Sequence, residues 1–211
     1  MKTFVLAAIC AVIIFSMPIT VSAQSGVSPK KVLEALAGRE FKHALDLAGK
    51  VDEPNYSDKS GVTLLMYAAE TGAADVCRVL LERGADHSLR TANGTTALYL
   101  AAQNGHTGVV RTLLEKGADP DIRPDNGATP LIAASEYGHT DVAALLVEKG
   151  ADASLQDNHG STALILASQN GNEEIVRILL GKGIDPDIQD LNGSTALILA
   201  AQEGQTEIAR M

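Results

Sequence analysis

Tryptophan is absent from this 211-residue chain, and aromatic residues make up only 3% of it. Leu, Ile, Val and Ala carry most of the hydrophobic content, which is 45%. A core of small and medium aliphatics suits closely packed helices and excludes an aromatic-rich all-β sandwich. A basic block is also missing. The formal net charge is −9, which argues against nucleic acid or anionic lipid as the main partner. Cysteine is scarce: Cys10 lies in an apolar leader, and Cys77 is the other. No internal disulfide framework can be built from these, so stability has to come from packing. Catalytic phrases are lacking too. There is no G-x-S-x-G, no H-E-x-x-H, no C-x-x-C and no Gly-rich phosphate loop.

What is present begins with the leader, "MKTFVLAAICAVIIFSMPITVSAQ". Lys2 precedes an apolar run from Phe4 to Phe15. Ser16 to Pro18 break the run, and Val21-Ser22-Ala23 supply small residues. That order predicts a secretory signal peptide over residues 1–23, cleaved after Ala23, and a periplasmic or secreted protein. The rival reading is an uncleaved anchor, although the run is shorter than the ~20 residues a membrane span needs. Cys10 lies inside the run and follows Ile9 rather than a small residue, which weakens a lipoprotein reading.

The rest of the chain is a repeat. A Gly opens a Gly-x-Thr-x-Leu phrase at Gly61, Gly94, Gly127, Gly160 and Gly193, at a constant 33-residue period. Thr63, Thr96, Thr129, Thr162 and Thr195 stand where an N-cap hydroxyl is needed, and Pro130 falls at a first helical position. A short apolar helix follows. Gly72, Gly105, Gly138, Gly171 and Gly204 stop it where a positive φ is required. A second helix carries apolar residues at helical spacing, such as Val109, Val110, Leu113 and Leu114, and ends at Gly84, Gly117, Gly150 and Gly183. Ala101-Ala102, Ala133-Ala134 and Ala200-Ala201 keep the first helices slim enough for close stacking. Full units are predicted at 61–93, 94–126, 127–159 and 160–192, and a partial one at 193–211. Residues 28–60 read as a capping unit, with Val32, Leu33, Leu36, Phe41, Ala44, Leu45 and Leu47 inward and Lys30, Lys31, Glu34, Arg39, Glu40, Lys42 and Asp46 outward. Residues 24–27 are a short leader.

"GTTALYLAAQNGHTGVVRTLLEKGAD" and "GATPLIAASEYGHTDVAALLVEKGAD" resemble the ankyrin repeat, and the resemblance covers residues 61 to 211. It implies an all-α solenoid of stacked helix-turn-helix units with β-turn fingers. The His of the family's T-P-L-H phrase is replaced by Met66, Tyr99, Ile132, Ile165 and Ile198, so these turns are expected to lean more on apolar packing. The last unit stops early. Ile198, Leu199, Ile208 and Met211 are expected to be poorly covered, with fraying or a second chain at that end.

Several residues invite chemistry. His106 and His139 sit one repeat apart, where hydrogen bonding at the inter-repeat turn suits them better than zinc. Asp119, Asp121 and Asp125, like Asp185, Asp187 and Asp190, lack the order of a calcium loop and read as turn formers. Cys77 replaces Val110, Ala143 and Val176 of other units and reads as core. Asn55, Asn93 and Asn192 head glycosylation triplets that carry little weight in Asn-Gly turns.

Resemblance to ankyrin arrays implies a protein partner on a concave surface of loop tips and first helices. The loop-tip candidates are Ala92, Asn93, Thr95, Asp125, Asn126, Ala128, Asn158, His159, Ser161, Leu191, Asn192 and Ser194. The helix-end candidates are Glu70, Thr71, Gln103, Asn104, Glu136, Tyr137, Gln169, Asn170, Gln202 and Glu203. Tyr137 is the leading single residue, because Tyr is enriched in hot spots. Glu70, Glu136 and Glu203 favour a neutral or basic partner. No cofactor, metal or nucleic acid is expected, and membrane contact only through export. Three functions stay open: an exported binding module, a secreted effector acting on a host protein, and, less favoured, a metal-dependent enzyme.

Overall fold

The computed structural model describes residues 26–211, so the expected signal peptide and half of the 24–27 leader lie outside the described residues. Among the described residues, helices run in pairs. The first pair is α1 (Pro29–Ala37) and α2 (Phe41–Ala48). Then come α3 (Leu64–Glu70) with α4 (Ala74–Glu82), α5 (Ala97–Gln103) with α6 (Thr107–Glu115), and α7 (Pro130–Glu136) with α8 (Thr140–Glu148). The series closes with α9 (Ala163–Gln169) and α10 (Glu173–Gly181), then α11 (Ala196–Gln202) and the short α12 (Thr206–Ala209).

Each pair packs on the next to give two layers. The first helices α1, α3, α5, α7, α9 and α11 touch in series, and so do the second helices α2, α4, α6, α8, α10 and α12. Contacts therefore run mainly between neighbours, as in a solenoid.

The sequence explains each pair locally. The Oγ1 atoms of Thr63, Thr96, Thr129, Thr162 and Thr195 accept the N–H three residues on, from Met66, Tyr99, Ile132, Ile165 and Ile198. In the first of these turns the Met66 thioether also accepts the Thr63 N–H at 3.4 Å. Ile at the same place offers no acceptor, and Ile132 and Ile165 are simply buried.

Gly72, Gly105, Gly138 and Gly171 end the first helices with φ of 78°, 75°, 75° and 77°. A second constraint acts there. A Cβ on Gly105 would sit 2.6 Å from His139 Nδ1, and one on Gly72 would sit 2.7 Å from His106 Nδ1. These rings clasp the preceding unit: His106 Nε2 lies 3.0 Å from the Glu70 carbonyl, and His139 Nε2 lies 2.9 Å from that of Gln103. Asn172 continues the series by donating to the Ser135 carbonyl at 2.8 Å, and Gln205 donates to that of Gln169 at 3.4 Å.

At the other end of each unit the fingers tie together. Asp125 N–H donates to the Asn93 carbonyl, Asn158 N–H to that of Asn126, and Leu191 N–H to that of His159, at 3.0–3.1 Å. Arg90, Arg123 and Gln156 reach the backbone carbonyls of Arg123, Gln156 and Gln189 in turn.

The capping pair is held differently. Ala73 stands where His106 and His139 stand in later units, so it brings no clasp. Arg83 instead donates to the Gly49 and Val51 carbonyls at 2.8 and 2.9 Å. Arg39 takes the left-handed place that Gly holds elsewhere, with φ 55°. Val32, Leu36, Ala44 and Leu47 are buried, but Phe41, expected inside, is 39% exposed. Its place, the first of a second helix, is half-buried or exposed in later units too, at Ala74, Thr107, Thr140 and Glu173.

Stacking sets burial at the far end. Leu65, Leu98, Leu131 and Leu164 are buried by the next unit, whereas the equivalent Leu197 is 57% exposed. Ile198 and Met211 are also exposed, and Leu199 is half-buried. Ile208, expected to be uncovered, is buried. It takes the place of Val109, Val142 and Ile175, which pack inside their own unit and need no successor. Ala201 is exposed while its equivalents Ala69 and Ala102 are buried, again for want of a following helix.

Candidate functional site

The first helices and the fingers form one face, the one that is concave in ankyrin-like stacks. Five of the sequence candidates converge there. Gln103 from the end of α5, with Asp125 and Asn126 from the next finger, lines a recess of about 530 Å³ together with Asn93, Thr95 and Pro124. Its floor is Tyr99 and Leu100.

Tyr99 is the residue that sequence reasoning passed over. It was noted only as a replacement for the family His, yet it is the sole aromatic among Met66, Tyr99, Ile132, Ile165 and Ile198. That contrast was the available signal. Its side chain is only 8% exposed. Asn126 Nδ2 donates to its hydroxyl at 3.5 Å. Burial raises the Tyr99 pKa; the Asn126 bond opposes this, and the nearby Glu136, Tyr137 and Asp157 add to it.

Glu136 and Tyr137 end the adjacent helix α7 and are exposed, Tyr137 at 53%. The Tyr137 ring stacks near His139, with centroids 6.4 Å apart and planes at 28°. Since His139 contacts the Gln103 carbonyl, Tyr137 is linked through one ring to the helix end that lines the recess.

The other candidates are dispersed. Glu70 is exposed one unit earlier, and its backbone carbonyl faces His106. Gln169 is half-buried one unit beyond α7. His159 is exposed at a finger tip away from the recess. Asn104 and Asn170 are exposed but spend their amides on structure: Asn104 donates to the Leu100 carbonyl at 2.8 Å and Asn170 to that of Glu136 at 3.2 Å. Asn126 accepts from the Ala128 N–H, which holds its side chain in the finger. Ala128 and Ser161, from the wider set of loop-tip candidates, are buried and present no surface.

The acidic loops are built as turns. Asp119 accepts from the Asp121 N–H, Asp185 from that of Asp187, and Asp190 from those of Asn192 and Ser194. Asp121 bridges units by accepting the Asp152 N–H at 2.9 Å, and burial raises its pKa. Among the described residues, no three His, Cys, Asp or Glu side chains gather in a way that could hold a metal ion. Cys77 is buried in α4, and burial pushes its thiol up to about 12.

Comparison with known families agrees with this architecture. The family model for ankyrin repeats (3 copies) matches residues 21–124, 121–190 and 152–211. The chain belongs to the ankyrin-repeat family, whose members generally mediate protein–protein interaction and are typically non-enzymatic scaffolds. No curated protein matches it significantly.

Proposed function

We propose that this chain is an exported, non-enzymatic scaffold that holds a protein partner on its concave face, with Gln103, Asp125 and Asn126 around the recess and Glu136 and Tyr137 beside it. The observation that carries this reading is the convergence of polar side chains from two successive units over an aromatic floor. An exposed Tyr next to that recess adds the kind of side chain on which binding energy concentrates.

Pull-down from the native envelope tests the reading. Tyr137→Ala and Gln103→Ala are expected to cut partner recovery by roughly fivefold or more each, the effect of a hot-spot loss. Equal recovery by both variants overturns it. Export rests on the order of charged, apolar and small residues over 1–23. Cell fractionation tests that part: the chain in periplasm or medium supports it, and the chain retained in the cytoplasm refutes it. Self-association at the last unit is the second partner reading, favoured by exposed Leu197, Ile198 and Met211. Sedimentation at several concentrations decides it: a shift to dimer supports it, and a monomer throughout removes it.

A further inference from the structure

Charge is segregated along the stack. The stretches 61–72, 94–105, 127–138, 160–171 and 193–204, which form the openings and first helices, contain no Lys or Arg, but they hold Glu70, Glu136 and Glu203. The ion pairs among the described residues are Asp46–Lys50, Asp75–Arg78, Arg78–Glu82 and Glu207–Arg210, all on or just after second helices. The fingers beside the recess carry Arg90 and Arg123, whose guanidinium groups are committed to the backbone carbonyls of Arg123, Gly127 and Gln156, and Asp125 and Glu136 form no ion pair among the described residues. Exposed carboxylates are ordinarily just solvated. Asp125 differs because it stands on the rim of a recess with an apolar floor, where a cation loses part of its water and its attraction to a carboxylate is less screened.

The floor has a requirement of its own. The Tyr99 hydroxyl receives one long hydrogen bond from Asn126, and its own proton meets no acceptor among the described residues. A peptide segment lying along the recess can supply a carbonyl to that proton, an alkyl stem to Leu100 and a cation to Asp125.

We infer that the recess between the 93–95 and 124–126 fingers and α5 is a subsite for an arginine or lysine side chain of an extended basic segment in the protein partner. The inference rests on the concave-face reading and narrows it to one partner chemistry. Arginine fits best: its planar guanidinium can face Asp125 while its stem covers Leu100.

The test titrates the isotope-labelled full chain with N-acetyl-argininamide and, separately, N-acetyl-glutamamide, each to about 10 mM, a range suited to a single-residue probe. The arginine probe is expected to move the resonances of Gly94, Gln103 and Asn126, and the glutamate probe to leave them. Asp125→Asn, at an exposed position whose backbone bonds are kept, is expected to weaken the arginine probe by about threefold. Equal shifts from both probes, no shift with arginine, or an unchanged affinity in Asp125→Asn overturns the inference. A partner whose capture still depends on Gln103 and Tyr137 would then leave concave-face binding standing and remove only the basic subsite.

Discussion

Ser135 and Ser168 are buried, and their hydroxyls have no hydrogen-bond partner among the described residues. They stand where Ala69 and Ala102 stand in the earlier units, so a methyl group already fits the site. Ser135→Ala and Ser168→Ala are each expected to raise stability by roughly 1 kcal/mol, the cost of an unmade buried hydrogen bond. Urea unfolding measures it; a loss of stability contradicts the packing described. Cys77 gives a pH-dependent case. Its thiol is held neutral up to about 12, while in the unfolded chain it ionises near its ordinary 9.0. A folded-state value above the unfolded one gives stability that is complete below that lower value and is lost as pH rises towards the upper one. Relative to Cys77→Val, the wild type should match below about pH 9 and lose about 2 kcal/mol by about pH 10.5. Parallel pH curves for the two proteins refute this. At this scale the Thr caps and the stop glycines were legible, because only certain residues satisfy a helix start or a positive φ. Arg39 at φ 55° was not, since nothing in its own side chain announces a left-handed backbone. Nor was the Met66 thioether, a weak acceptor that acts only once the turn has brought it to Thr63.

The helix pair with its clasp is the unit of cohesion. Gly105 meets two demands at once, a φ of 75° and room for the His139 ring. Gly105→Ala is expected to cost about 2–3 kcal/mol, from the left-handed backbone and the displaced ring together. Thermal unfolding checks it; a cost under about 0.5 kcal/mol would show that the ring does not hold that site. The alternation of Thr, Leu and Gly made the helices themselves readable. The clasp series was only half readable. His106 and His139 stood out, but Asn172 and Gln205 do the same work with amides, and no single residue type marks the position. Phe41 and Ile208 were assigned without regard to their place in the unit: Phe41 opens a second helix, a place that stays half-buried or exposed in later units, and Ile208 takes a place that is buried without a successor. Arg83, tying α4 to the cap, is a long-range contact that spacing cannot disclose.

Across the whole molecule, cohesion comes mostly from neighbour to neighbour, which leaves side chains such as Gln103 and Asp125 on one face without a structural hydrogen bond. The openings and first helices of that face carry no Lys or Arg, the finger residues Arg90 and Arg123 are tied to backbone carbonyls, and Gln103, Asp125 and Asn126 gather over Tyr99. The polar rim was legible from the family pattern of variable positions. The recess was not, because it needs α5 in register with the fingers at both ends of its unit, 93–95 and 124–126. The most direct test of concave-face binding replaces the exposed fingertip residue Ala92, and separately the exposed Arg111 on second-layer helix α6, with a photo-crosslinking amino acid. Both chains are irradiated in the native cell. Capture of the same discrete protein from position 92 and not from 111, abolished by Tyr137→Ala in the same chain, is the predicted result. Capture from position 111 alone, or from both positions regardless of Tyr137, would contradict it.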